Sequence, residues 1–137
     1  MLLHRIFIIR FFMACLLGLP LLAFAASPSA ASPEGAIKEY YELVAANRAE
    51  EAIEFYSIKN IKDTDLTEVK SKLKSLVEVQ YKLIQGRDGL KAVETKLISQ
   101  KGDKAFVECS LVYGNGKKDT EKTAMIREDG RWKFHEE

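Results

Sequence analysis

Apolar residues recur at helical intervals between Ser32 and Gly89, and beyond Gly89 the period falls towards two. Ala36, Ile37, Tyr40, Tyr41 and Val44 form one stripe and predict a first helix. Ser32 can cap it, Pro33 suits its first turn, and Glu34 sits at the positive end of its dipole. Asn47, followed three residues later by Glu50, has the form of a capping box. It predicts a short second helix whose Ala49, Ala52, Ile53 and Tyr56 share a face. After Asp63-Thr64-Asp65, the positions Leu66, Val69, Leu73, Leu76, Val77, Leu83 and Ile84 mark a third helix of about five turns, with Gly86 as its stop.

Turn residues then arrive at short intervals, as Gly102-Asp103, Gly114-Asn115-Gly116 and Asp129-Gly130. They delimit four expected strands, Leu90 to Gln100, Lys104 to Tyr113, Thr120 to Glu128 and Arg131 to His135, joined as antiparallel hairpins. In the second strand Ala105, Val107, Cys109, Leu111 and Tyr113 fall on one face, which the helices must cover; Phe106, Glu108, Ser110 and Val112 take the other. Trp132 and Phe134 give the last strand its apolar face, with Trp132 expected as a core anchor. Helices followed by strands imply an α+β fold, three helices on one side of a curved four-stranded antiparallel sheet.

Composition divides the chain unevenly. Arg5 and Arg10 begin a leader that continues as an apolar stretch from Phe11 to Leu22 and closes on Ala23-Phe24-Ala25-Ala26. This is the three-zone pattern of a cleavable signal peptide, with an Ala-x-Ala site and an apolar run short of the roughly 20 residues that a spanning helix needs. The expected organisation is a signal peptide at 1–25, a Ser/Ala/Pro linker at 26–31 and a single domain at 32–137. The expected location is the periplasm or the exterior, with no membrane anchor left after cleavage. Removing Arg5 and Arg10 from the 21 basic residues leaves 19 against 20 acidic ones. That balance gives no electrostatic reason to expect nucleic acid or an anionic membrane as partner. Cys109 is the one cysteine outside the leader, so the domain has no internal disulfide to rely on. Its apolar neighbours predict a small buried hydrophobe.

Ala36 through Tyr41 with Leu43, Ala52 in a short second helix, Gly102-Asp103-x-Ala105-x-Val107, Tyr113-Gly114-Asn115-Gly116 and Glu128-Asp129-Gly130-Arg131-Trp132-Lys133-Phe134 occur in the order seen in the nuclear transport factor 2-like superfamily. The chain resembles small exported bacterial domains of that superfamily from about Ser32 to His135. The resemblance implies a cone, with helices inside a strongly bent sheet and a cavity that relatives use for small ligands, catalysis, protein contact or dimerisation.

Candidate chemistry is sparse. No Gly-rich phosphate loop, nucleophile elbow or paired Cys/His metal spacing is present, and no cofactor is expected. Enzymes of the resembling fold need an acid or base inside the cone. His135 alternates away from Trp132 and Phe134 and is expected in solvent, while Glu108 has the parity of the outer face. Tyr40, Tyr41, Tyr81, Tyr113 and Trp132 are the candidate pocket residues, being aromatics that could equally serve as core. Lys70, Lys72, Lys74 and Lys82 are interspersed with Glu68 and Glu78 and form a solvated helix face. These readings favour an exported, non-enzymatic module that binds another protein, itself or a small apolar ligand. A periplasmic immunity protein or inhibitor, and a small isomerase, dehydratase or hydrolase using a tyrosine and a carboxylate, are the competing classes.

Overall fold

The computed structural model describes residues 31–136; the leader and nearly all of the linker lie outside them. Helix α1 spans Pro33–Ala45, α2 spans Ala49–Ala52 and continues into a 3-10 turn at Ile53–Phe55, and α3 spans Leu66–Gly86. Four strands follow, β1 at Leu90–Lys101, β2 at Lys104–Tyr113, β3 at Lys118–Glu128 and β4 at Arg131–Phe134. They form one antiparallel sheet in the order β1-β2-β3-β4. Two register shifts in the β1–β2 ladder, between Leu90 and Ala92 and between Leu97 and Ser99, bend the sheet.

The first helix begins as its sequence dictates, with the Ser32 hydroxyl accepting from the Gly35 amide at 3.0 Å. It ends on Asn47, whose φ of 59° is left-handed. The Asn47 N–H reaches the Val44 carbonyl and the Arg48 N–H the Leu43 carbonyl, the paired bonds of a Schellman stop. The expected capping box is therefore absent. Asn47 closes α1, and Arg48 begins α2 without a side-chain cap. Helix α3 stops at Gly86 as expected; the left-handed turn beyond it is made by Asp88, with the Gly89 N–H bonded to the Ile84 carbonyl.

Ala36, Ile37, Tyr40, Tyr41 and Val44 of α1 are buried against Ala105, Val107, Cys109, Met125 and Trp132 of the sheet. Trp132 is the largest side chain that is almost fully buried. Helix α3 packs on α1, on α2 and on the 3-10 turn instead of lying flat on the strands. Only Val77 and Ile84 of its 21 residues are buried; Leu73 and Tyr81 pack partly on the core, and Leu76, Val79 and Leu83 stay exposed among the described residues. That separation opens a space between α3 and β3.

Candidate functional site

Helix α3 carries more apolar surface than the core uses. Val77 and Ile84 point into the core, whereas Val69, Leu73, Leu76 and Gln80 are rotated by about a fifth of a turn and line a hollow of about 830 Å³. Leu76 remains 43% exposed inside this space, and Leu83, further along α3, is 44% exposed in a smaller hollow beside it. The opposite wall is the 121–124 stretch of β3, and Tyr40, Tyr41, Tyr56 and Phe134 form the floor. The smaller hollow, of about 370 Å³, continues the larger towards Leu111, Tyr113 and Asp119, sharing Tyr41, Gln80 and Glu121. The two make one groove between α3 and β3.

The floor is a packed aromatic cluster. The ring of Tyr40 lies 4.9 Å from Tyr41, 5.6 Å from Tyr56 and 4.7 Å from Phe134, each near edge-to-face. The Tyr40 hydroxyl donates to Gln80 Oε1 at 2.6 Å and lies 2.9 Å from the Tyr56 hydroxyl, so Tyr56 is left to donate to Tyr40. The Tyr41 hydroxyl donates to Glu121 Oε1 at 2.9 Å. Burial, more than any neighbour, holds the pKa of Tyr40, Tyr41 and Tyr56 above the ordinary phenol value. Burial likewise pushes the Cys109 thiol up to about 12, so it rests as an inert thiol beneath Glu121.

The narrow end of the groove is held by a clasp. Arg87 Nη1 bonds Asp119 Oδ2 at 2.5 Å, the Tyr113 hydroxyl donates to the same oxygen at 3.0 Å, and the guanidinium lies 4.7 Å over the Tyr113 ring. The Arg87 bond, followed by that from Tyr113, holds the Asp119 carboxyl below the usual range. Main-chain bonds from Gly114 to Gly89 and from Asn115 to Arg87 tie the β2–β3 turn to the end of α3.

Of the five expected pocket residues, Tyr40 and Tyr41 line the larger hollow and Tyr113 the smaller; Tyr81 and Trp132 line neither. Trp132 is 2% exposed, with Arg127 over its ring, and serves as core. Tyr81 sits on another side of α3. His135, expected in solvent, is half-buried and lines the hollow, because its N–H bonds the Ala124 carbonyl and carries the chain along β3 past the end of β4. Glu108 keeps its outer position opposite Lys122. The residue that sequence reasoning missed is Glu121, which stands opposite Cys109 and so shares the inner face. The hairpin contained the signal: pairing about Gly114-Asn115-Gly116 sets Tyr113 near Lys117 and, counting back, Cys109 against Glu121. Among the described residues no group of His, Cys, Asp and Glu could hold a metal ion, and no helix is long and apolar enough to cross a membrane.

Three helices within a bent four-stranded antiparallel sheet, with a groove opening between the last helix and the third strand, constitute the nuclear transport factor 2-like fold. A Campylobacter jejuni crystal structure carrying the provisional name NTF2-like transpeptidase superposes with a TM-score of 0.69 at 15% identity, over 75% of this chain and 96% of that one. A SEC-C motif containing protein from Rhodopseudomonas palustris aligns with a TM-score of 0.49 at 22% identity, over 85% and 84% of the two chains, and the fold assignment rests on the first. No protein-family model matches the chain, and no curated protein matches it in sequence.

Proposed function

We propose that this is an exported, non-enzymatic binding module whose site is the groove between α3 and β3. One observation carries the reading: Leu76 faces the larger hollow and Leu83 the smaller one that continues it, and no other part of the described chain fills either. Burying leucines of α3 under a ligand returns about 25 cal/mol per Å² of apolar surface, and the phenols, Gln80 and Glu121 supply the few polar groups that orient a guest. Export rests on the three-zone composition of the leader.

The test is an NMR titration of the 15N-labelled protein with the apolar fluorophore 1-anilinonaphthalene-8-sulfonate. The expected result is a set of saturable shifts at Tyr56, Leu73, Leu76 and Glu121. Shifts confined to the convex face around Phe106, or none, would overturn the assignment.

A catalytic reading has one observation in its favour, the Tyr41–Glu121 pair, which puts a phenol and a carboxylate in the cone. Against a covalent mechanism, Cys109 is buried and protonated, and the hydroxyl of Ser57 is engaged by Glu128 at 2.7 Å. A small isomerase would depend on Glu121, so Glu121→Gln would abolish its turnover while leaving the fold intact.

A further inference from the structure

We propose that the groove receives an extended peptide, added as a strand to the free edge of β3, with apolar side chains and one basic side chain turned inward. This rests on the groove being a binding site and names its guest.

Strand β4 covers only part of its neighbour. Its ladder runs from Met125 opposite Phe134 to Glu128 opposite Arg131, and the His135 N–H extends it by one bond to the Ala124 carbonyl, at 3.1 Å. From Lys118 to Thr123, β3 is paired with β2 on one side and, among the described residues, with no strand on the other. Main-chain groups alternate along a strand as side chains do. Because the Ala124 carbonyl points to the β4 side, the N–H and C=O groups of Thr120 and Lys122 point there too, into the vacated track. Consecutive residues line the groove, Asp119 to Glu121 at one end and Glu121 to Ala124 at the other. Side chains of opposite parity cannot all face one hollow; the backbone of an exposed edge can present them all.

The other wall of the track is the stripe Val69, Leu73, Leu76 and Leu83. From Val69 to Leu83 a helix rises about 21 Å, and the open edge from Lys118 to Thr123 is about 17 Å long. A track with unpaired amides on one side and a comparable length of leucine and valine on the other fits one chemistry, an extended chain. Its main chain would complete the ladder while alternate side chains would lie on the helix. A compact apolar ligand would use the helix wall and leave the edge amides to water.

Charge complementarity specifies one inward position. Asp119 is neutralised by Arg87, but among the described residues Glu121 makes no ion pair, and its one side-chain partner there is the neutral Tyr41 hydroxyl. Glu121 lies on the concave face between Asp119 and Thr123, so a cross-strand lysine or arginine of the guest would meet its carboxylate.

Selection of displayed linear peptides against the purified protein tests this. Enriched sequences are expected to alternate apolar residues with polar ones and to carry Lys or Arg at one inward position. The decisive variant is Lys122→Pro, which deletes the N–H facing the track and spares the β2 ladder. It should weaken a selected synthetic peptide at least about ten-fold, with the far-ultraviolet circular dichroism of the folded protein retained. The same peptide N-methylated at the amides facing β3 applies the reciprocal test to the unmodified protein, and Glu121→Gln should remove the preference for a basic residue. Failure to enrich peptides, or equal binding by Lys122→Pro and by the N-methylated peptide, would overturn the proposal. If the fluorophore still maps to the groove, the binding-module reading survives that failure; if it does not, both fall. A dimer that Lys122→Pro dissociates would put a second copy on the edge and also overturn it.

Discussion

Replacing Gly114 with alanine tests the clasp that closes the groove. A Cβ at this position would stand 2.0 Å from the Asp88 carbonyl oxygen and 2.8 Å from its carbon, both backbone atoms that cannot swing aside. Relief requires the β2–β3 turn and the end of α3 to part by about 1 Å, in an interior that tolerates overpacking at about 1–3 kcal/mol. The same movement stretches the Gly114-to-Gly89 and Asn115-to-Arg87 bonds, now 2.9 and 3.1 Å, each worth about 1 kcal/mol. The expected loss is about 2–4 kcal/mol, or a fall in melting temperature on the order of 10–20 °C for a domain of this size. Gly116→Ala is the internal control, since its φ of +85° imposes strain but its Cβ meets open space; it should cost only about 1 kcal/mol. Urea unfolding followed by far-ultraviolet circular dichroism ranks the two. A Gly114→Ala protein as stable as Gly116→Ala would refute the close approach and the reasoning built on it.

Trp132→Ala should cost about 3–5 kcal/mol, because the indole is 2% exposed and its removal leaves a cavity between α1 and the sheet; an unchanged urea midpoint would contradict that placement. Alkali should unfold the protein cooperatively. Tyr40, Tyr41 and Tyr56 have folded pKa values above their unfolded ones, so the stability they give is complete below about pH 10 and is lost as pH rises past it. Absorbance at 295 nm and circular dichroism, recorded together, should show these three phenols ionising only as ellipticity is lost. Full tyrosine ionisation with intact ellipticity would show that the aromatic floor is open to solvent.

Much of the architecture is legible in the sequence because local chemistry settled it. The Ser32 cap follows from one local hydrogen bond, and the stripe of α1 and the inward alternation from Ala105 to Tyr113 follow from a period that burial enforces. One signal misled. Asn47 belongs to a residue type that both starts and stops helices, and which end it serves depends on the φ the chain adopts there. The inner position of Glu121 required the hairpin register. That of His135 required knowing that β4 stops at Phe134 while its backbone runs on beside Ala124. Neither is a property of a side chain.

The sequence by itself determined an α+β domain with its helices first, the inward face of β2, a buried Trp132 and a buried Cys109, all consequences of hydrophobic period and turn chemistry acting over a few residues. Tertiary structure alone decided that α3 would lean on α1 and leave Leu76 and Leu83 facing β3, that Tyr41 would meet Glu121, and that Thr120 and Lys122 would present an unpaired edge. Those features arise where segments far apart in sequence approach without covering one another. Amphipathic periodicity says which face of an element is apolar, and only packing says whether anything lies against it.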